Sequence, residues 1–425
     1  MSASIVSSDA NSVTIQVTIP FKESLLNSEE EIQSALNLAG QLATEKALEQ
    51  FDSDGSPIDK SGQRWTSKGK EPKIYQSPYG PIEVSRHLYQ TSQGGSTFCP
   101  LETDGRILRT ATPRFAKQIS HKYAEMSSVR VAEDLKENHG RVVARSFIQN
   151  LAEMVGSVAI AKAEDWHYQT PKVSVPVATV SLGLDGTCVL LCEEGGRQAM
   201  VGTLSLYDAQ GDRLHTTYVA VPPEYGRERF LGRMTREVDH VLSLYPEAHR
   251  QGLADGAPEN WEFLAPYVET QVVDFYHATG YLVKVAKVLF PRSRKQRQVW
   301  LDKQAHRLKH DHGAAVALLA EFEGIDLDNL SPKKQETLQS VITYFRNHHS
   351  QMNYAQTREA NRPIGSGVTE AACKVIVKQR LCGSGMKWKE TGAGIVLSLR
   401  TLTYTTGRWQ QFWTKINQYG FSLES

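Results

Sequence analysis

Strand-like and helix-like runs alternate between residues 171 and 291, and this alternation limits the folds open to the chain. VPVATVSLGLD, RQAMVGTLSLYD and LHTTYVAV are typical of strands, and FLGRMTREVDHVLSLY has the periodicity of a helix. Another strand ends at GLADG, and VETQVVDFYHATGYLVKVAKVLF predicts a strand that passes into a helix. Charged amphipathic helices fill residues 292–354. This order predicts a mixed α/β core over 171–291 and 355–425, interrupted by an all-helical insertion.

Two other patterns occupy the N-terminal part of the chain. Residues 1–110 combine strand patterns such as VTIQVTI with a helix that Ser28 and Glu31 would cap, which predicts a small α+β region. Residues 111–170 are helical, and VRVAEDLKENHG and RVVARSFIQNLAEMVG meet at a glycine turn, as in a helix-turn-helix domain. Its outer face would reach a major groove through Arg141, Arg145, Ser146, Gln149 and Asn150. An ordinary packing unit of three helices explains the pattern equally well.

Charge is balanced over the chain but not along it. The sequence has 48 basic and 47 acidic residues and a net charge of +1. Residues 370–408, however, hold seven Lys or Arg and two Glu, a local charge of +5. No long apolar run and no secretory signal pattern are present, so we expect a cytoplasmic protein without a membrane partner.

The five cysteines form no CxxC pair and no spacing typical of a zinc site or a disulfide framework. We therefore expect reduced thiols and no zinc cofactor.

Three carboxylates stand where chemistry is expected. Asp185 and Asp255 each follow a hydrophobic strand and precede a glycine, and open α/β sheets bind ligands beyond such strand ends. Glu370 follows GSG and begins the basic segment. Hard divalent cations prefer oxygen ligands, and two such ions can catalyse phosphoryl displacement. Asp-Gly is also a common turn signal, and Glu370 can pair with Lys374 one helical turn later.

A longer stretch carries a family resemblance. PIGSGVTEAACKVIVKQRLCGSGMKW closely resembles the C-terminal signature of ISKra family insertion-sequence transposases, bacterial DDE enzymes with an RNase H-like core that are related to Mutator-like transposases. LGLDGT and GLADGAPENW resemble the blocks that hold the family's two aspartates, and VDFYHATGYL resembles its D(2)H motif. The resemblance covers roughly residues 175–400. Relatives often carry a cysteine pair where this chain has only Cys99, in YQTSQGGSTFCPLE.

The resemblance implies a site and its cofactor. It implies Asp185, Asp255 and Glu370 as the catalytic triad, which would bind two Mg²⁺ or Mn²⁺ ions. Asp274 and His277 would be a supporting motif, and a capped helix start with a packed histidine is the alternative.

Basic and aromatic residues complete the expected contacts with DNA. Phosphate contacts position DNA without reading its sequence, and aromatic rings can stack on unpaired bases. The residues expected to bind DNA are Arg141, Arg145, Gln149, Arg292, Arg294, Lys295, Lys374, Lys378, Arg380, Lys387 and Trp388. Trp261 is a second stacking candidate, and a solvated helix face is the alternative for the group at 292–295.

Together these features predict a transposase that binds terminal inverted repeats, cleaves them and joins the freed 3′-OH to target DNA. Two ends imply a homodimer or a larger assembly, associated with the nucleoid when bound to DNA. The alternatives are a catalytically silent DNA-binding repressor or domesticated transposase, and an RNase H-like structure-specific nuclease.

Overall fold

The computed structural model describes residues 2–60, 62–224, 226–328 and 330–421. The chain is mixed α/β and divides into two compact units. The first unit contains the residues up to Tyr168, Ser398–Thr403 and the residues from Arg408, and the second contains Gln169–Leu397 and Tyr404–Gly407.

The first unit begins with a hairpin of β1 (Ser2–Ser8) and β2 (Val13–Thr18), followed by the long helix α1 (Leu25–Glu49). The side chain of Ser24 caps α1 by accepting a hydrogen bond from Asn27 N. The predicted cap at Ser28 is therefore wrong, because Ser28 lies inside the helix, where its hydroxyl donates to Ser24 O.

A four-stranded antiparallel sheet follows in the first unit. It consists of β3 (Ile58–Lys60), β4 (Gln63–Gln76), β5 (Pro81–Thr91) and β6 (Gly94–Phe98), in that order. Tyr75, Ile82 and Val84 point into a core that Leu48 and Leu101 complete. β4 and β5 thus form a hairpin whose turn contains PYGP.

Helices complete the first unit: α2 (Pro100–Asp104), α3 (Pro113–Glu125), α4 (Ser128–His139), α5 (Arg145–Ala161) and α16 (Arg408–Tyr419). Gly140 ends α4 with a left-handed backbone (φ 62°), which glycine adopts without steric cost. The predicted second helix starts four residues later than expected, at Arg145. Leu151 and Val155 of α5 are buried.

Arg141 lies in the connection between α4 and α5 and is only 5% exposed. Its guanidinium donates to Ser77 O (3.3 Å) and Gln76 Oε1 (2.9 Å) and lies over the ring of Phe115. The prediction that Arg141 faces DNA is therefore wrong, because it joins the helical region to β4. Arg145, Ser146 and Asn150 are exposed and Gln149 is half-buried.

A five-stranded sheet forms the centre of the second unit, in the order β11-β10-β7-β8-β9. The strands are β7 (Thr179–Leu191), β8 (Gly195–Tyr207), β9 (Arg213–Val221), β10 (His249–Ala254) and β11 (Thr270–Val273). The pairs β7–β8 and β8–β9 are antiparallel, whereas β10 runs parallel to both β7 and β11. Residues 179–184 of the central strand β7 are all buried, as expected for a strand with neighbours on both sides.

Helices connect and cover this sheet. They are α6 (Glu228–Leu244), α7 (Pro258–Leu264), α8 (Phe275–Leu289), α9 (Arg294–His310), α10 (Ala314–Glu323), α11 (Pro332–His348), α12 (Tyr354–Glu359), α13 (Gly367–Ala372), α14 (Gln379–Leu381) and α15 (Glu390–Tyr404). A short 3₁₀ turn covers His349–Gln351, and Cys373–Lys378 is π-helical. Helices α9 to α11 form the helical block that the pattern over 292–354 predicts. Among the described residues, none of the helices combines the length and the apolar character needed to cross a membrane.

Replacing Arg141 by Ala is expected to lower the free energy of unfolding by about 2 to 4 kcal/mol, because the substitution removes charged hydrogen bonds and leaves buried acceptors without a donor. Chemical denaturation measures the change. Arg145→Ala is the matched control, since Arg145 is exposed, and it should stay within about 0.5 kcal/mol of wild type. Equal losses in both variants would contradict the structural role of Arg141.

Candidate functional site

Asp185 and Asp255 lie on neighbouring parallel strands. The register between β10 and β7 places Leu253 opposite Gly183. Extending this register by two residues, to the position just after β10, brings Asp255 level with Asp185. Asp185 is not at a strand end as predicted, because β7 continues through Asp185 and Gly186 to Leu191. The prediction holds for Asp255, which follows the last residue of β10.

Asp185 is a half-buried carboxylate with few compensating partners. Its Oδ1 accepts from Gly186 N (2.7 Å), and its Oδ2 accepts from the thiol of Cys373 (3.4 Å). Burial raises the pKa of Asp185, and the negative charge of Asp255 raises it further, against these hydrogen bonds and the positive charge of Lys378. Asp185 and Asp255 therefore repel each other across the two strands.

Asp255 is held at the start of α7. Its Oδ1 accepts from Ala257 N (3.1 Å) and Asn260 Nδ2 (3.4 Å). Two stacked phenols face it: the rings of Tyr281 and Tyr344 lie 3.7 Å apart, and burial, with a further contribution from Asp255, raises the pKa of both. An aromatic wall thus lies on one side of the carboxylate pair.

Glu370 reaches the same face of the sheet on the short helix α13. The hydroxyls of Thr369 and Thr203 are 2.7 Å apart and join α13 to β8. Close packing here requires Gly183, because a Cβ at that position would lie 2.2 Å from Thr369 Oγ1. Side chains two residues apart on a strand share a face, so Asp185 is on the face that α13 covers.

The segment after Glu370 is a π-helix, and this geometry affects which side chains meet Asp185. A π-helix aligns residues five apart, so Cys373 and Lys378 lie on one face. Both act on Asp185, the thiol through its hydrogen bond and Lys378 through its charge. In an α-helix the two side chains would point in different directions. Burial, together with Asp185, raises the pKa of the Cys373 thiol far above its ordinary range.

Glu370 itself is exposed, and Ser366 Oγ donates to its Oε1 (2.9 Å). Among the described residues it forms no ion pair with Lys374, which removes the helical pairing considered as its alternative role. Asp274 is 1% exposed and caps α8 by accepting from His277 N. His277 is exposed, with its ring 5.8 Å from that of Tyr281 and 5.9 Å from that of Tyr344.

The donors at this site suit a hard divalent cation. Asp255 Oδ2 accepts no hydrogen bond from the described residues, and the neighbouring Asn260 Oδ1 is buried without a partner among them. A cation would offset the cost of burying Asp185 and the repulsion between the two carboxylates. No group of three or more His, Cys, Asp or Glu side chains in the described part of the chain is arranged to hold a metal ion. The structure therefore brings Asp185 and Asp255 together, with Glu370 nearby but turned towards Ser366.

Three of the four predicted basic residues after Glu370 are exposed: Lys374, Lys378 and Lys387. Arg380 is 3% exposed and lies against the ring of Trp388, so the prediction that it binds phosphate is wrong. Trp388 also has a structural role. Its Nε1 donates to Leu381 O, and its backbone pairs with Leu190 and Cys192 at the end of β7.

The other predicted DNA contacts of the second unit lie where α9 begins and on α7. Arg292, Arg294 and Lys295 are exposed where α9 begins. Trp261 is 8% exposed and belongs to the hydrophobic core of the second unit, so it does not stack on a base.

Sequence reasoning missed Ser366, Cys373, Tyr281 and Tyr344. Ser366 and Cys373 stand four residues before and three residues after Glu370, a helical spacing that places them beside it. The tyrosines carry no comparable signal, since helical periodicity marks both as core residues.

Asp185→Asn is expected to stabilise the metal-free protein above pH 4. The folded-state pKa of Asp185 is raised, so the wild type loses stability as the pH rises from 3.8 through that value. Asparagine stays uncharged at every pH, and its side-chain oxygen can still accept a hydrogen bond from Gly186 N. At pH 7.5 in EDTA we expect a melting temperature about 1 to 3 °C above wild type, with the gap closing near pH 4. Calorimetry across this range measures it.

Asp239→Asn is the control for this comparison, because Asp239 is an exposed carboxylate on α6. Its free energy of unfolding should stay within about 0.5 kcal/mol of wild type, as for most substitutions of exposed residues. A lower melting temperature for Asp185→Asn at pH 7.5 would show that the carboxylate stabilises the fold.

A scan against protein-family models and a search of curated proteins both returned no match to this chain.

Proposed function

We propose that this chain is a DDE transposase of a bacterial insertion sequence, of the ISKra type, with an RNase H-like catalytic core. The observation that carries the proposal is the pairing of β10 with β7, which sets Asp255 level with Asp185 under the helix that bears Glu370. Three antiparallel strands, two further strands in parallel, a helical block and a closing helix also follow the order expected of such an interrupted core.

Asp185, Asp255 and Glu370 would hold two Mg²⁺ or Mn²⁺ ions in this proposal. When bound, such ions stabilise the charge that develops on a phosphate under attack by water or by a 3′-OH. Asp185 and Asp255 supply carboxylates whose repulsion favours cation binding. Lys378 adds a positive charge beside Asp185, where a phosphate would approach. Tyr281 and Tyr344 form an apolar wall that limits water on the Asp255 side.

DNA binding is assigned to exposed basic side chains. Lys374, Lys378 and Lys387 would contact the backbone next to the site, and Arg292, Arg294 and Lys295 would form a second patch. In the first unit, Arg145 and Gln149 on α5 remain the candidates for recognising terminal repeats. Two ends imply a homodimer or larger assembly, acting in the cytoplasm at the nucleoid.

The first experiment is a cleavage assay with a supercoiled plasmid that carries the natural DNA surrounding this coding sequence. We expect nicking that requires Mg²⁺ or Mn²⁺, followed by joined products. Nicking without joined products would favour a structure-specific nuclease. Binding without nicking under any metal condition would favour a repressor.

Asp185→Ala, Asp255→Ala and Glu370→Ala are each expected to reduce nicking by at least about 10³-fold, because each removes a carboxylate from the proposed metal site. DNA affinity, measured by gel shift in EDTA, should stay within about twofold of wild type. Asp239→Ala is the control, since it removes an exposed carboxylate of the same unit. A Glu370→Ala variant that still nicks DNA would remove Glu370 from the site.

The double variant Lys374→Ala/Lys387→Ala is expected to weaken binding to every DNA sequence alike. Each lost phosphate contact should reduce the slope of log K against log salt by about 0.9, so the slope should fall by roughly 1.8. Fluorescence anisotropy at several salt concentrations measures it. Lys333→Ala, an exposed lysine at the start of α11, should leave the slope unchanged. An unchanged slope in the double variant would exclude these lysines from the DNA path.

A further inference from the structure

The hydroxyl of Ser366 lies between two carboxylates. Its Oγ is 3.0 Å from Asp274 Oδ2 and 2.9 Å from Glu370 Oε1. A serine hydroxyl has one proton, so it can donate fully to only one of these oxygens at a time. Ser366 is 9% exposed, and its position between the two groups is therefore a feature of the packed interior.

Asp274 has other donors that satisfy its charge. Ser366 N donates to Oδ2 (2.6 Å), and His277 N donates to Oδ1 (2.5 Å). Each oxygen of this buried carboxylate thus has a backbone N–H of its own. The serine hydroxyl can consequently donate its proton to Glu370, while the hydrogen bond from Ser366 N to Asp274 keeps the serine in place.

The backbone at Asp274 also reaches the other side of the site. Asp274 N donates to Ala254 O (2.9 Å), and Ala254 immediately precedes Asp255. The next residue, Phe275, donates from its N to Ile364 O (3.0 Å), two residues before Ser366. One buried residue and its neighbour therefore join the end of β10 to the segment that leads into α13.

We propose that Asp274 and Ser366 act as positioning residues for Glu370. Asp274 holds Ser366, and the serine hydroxyl fixes Glu370 Oε1, which leaves Oε2 to meet a divalent cation. This inference rests on the proposed function, because it assumes that Glu370 is a metal ligand. Hydrogen bonds to a ligating carboxylate commonly change metal affinity by 10- to 100-fold.

Gly365 supports the same arrangement. A Cβ at this position would lie 3.5 Å from Asp274 Oδ2 and 3.1 Å from the ring of Tyr276. Only the contact with Tyr276 would be tighter than usual, so the glycine leaves room for that ring beside the segment that holds Ser366.

The test measures Mn²⁺ binding to the full-length protein without DNA, by electron paramagnetic resonance of the free ion. Ser366→Ala is expected to weaken Mn²⁺ binding about tenfold. Ser366→Thr keeps the hydroxyl and should restore wild-type affinity. Asp274→Asn should weaken binding by a similar factor, because it replaces one carboxylate oxygen by an amide donor that faces Ser366.

Thr369→Val is the matched control. Thr369 lies on the same short helix as Glu370, is 3% exposed and loses its hydroxyl bond to Thr203 in this variant, whereas the hydroxyl bond to Glu370 Oε1 comes from Ser366. Its Mn²⁺ affinity should stay within twofold of wild type even where its melting temperature falls. If Ser366→Ala does not fold, Ser366→Cys tests the same bond, since a thiol is a weaker donor of similar size.

The possible results separate this inference from the proposed function. Equal, or tighter, Mn²⁺ binding in Ser366→Ala, together with lost binding in Asp185→Ala, would overturn the role of Ser366 and leave the metal site standing. An equal loss of Mn²⁺ affinity in Ser366→Ala and Thr369→Val would show that Ser366 acts only through the packing of α13, which would overturn the positioning role. Identical, negligible binding in wild type and Asp185→Ala would overturn the metal site and the positioning role together.

Discussion

The candidate site depends on the parallel register of β10 and β7. Leu253 stands opposite Gly183, and this single pairing brings level two aspartates that are far apart in the sequence. Gly183 has a second effect, because its missing side chain lets Thr369 and the helix α13 approach the sheet. The same residue therefore belongs to the strand pairing and to the docking of the helix that bears Glu370. A shift of one residue in this pairing would turn Asp255 away from Asp185.

This site carries an electrostatic cost that a purely structural sheet would avoid. A central strand buried on both faces is normally apolar, yet Asp185 interrupts it next to another carboxylate. Gly186 N, the Cys373 thiol and Lys378 offset only part of the cost of burying this carboxylate beside Asp255, since the pKa of Asp185 remains raised. Local violations of folding rules are expected where function requires them. The π-helix that brings Cys373 and Lys378 onto one face is a second such violation in the same place.

The sequence predicts the strand and helix order of the second unit well, because hydrophobic periodicity is a local property. It also predicts the end of β10 at Asp255 correctly. Asp185-Gly186 is the same dipeptide as Asp255-Gly256, but it lies inside a strand because β8 pairs with β7 as far as Leu191. Pairing with a neighbouring strand is not visible in a dipeptide.

Burial of charged residues is equally hidden from sequence. Arg141 and Arg380 stand in sequence segments that predict contacts with DNA, yet both are buried beside aromatic rings. Arg145 and Lys378, a few residues away, are exposed. The difference depends on partners such as Phe115 and Trp388, which come from other parts of the chain or from beyond a turn. The bridge formed by Ser366 likewise joins elements separated by most of the helical block.

The segment after Glu370 is fixed to β7 at two points, by Cys373 at Asp185 and by Trp388 at Leu190 and Cys192. The exposed lysines between these points are thus carried on a backbone whose path follows the strand. In the proposed function these lysines would contact phosphates, and such contacts position DNA without distinguishing its bases. In that proposal, the stretch after Glu370 would serve the chemistry and the placement of DNA. Recognition of terminal repeats, as proposed, would then require side chains outside this stretch, and the exposed residues of α5 in the first unit are the candidates.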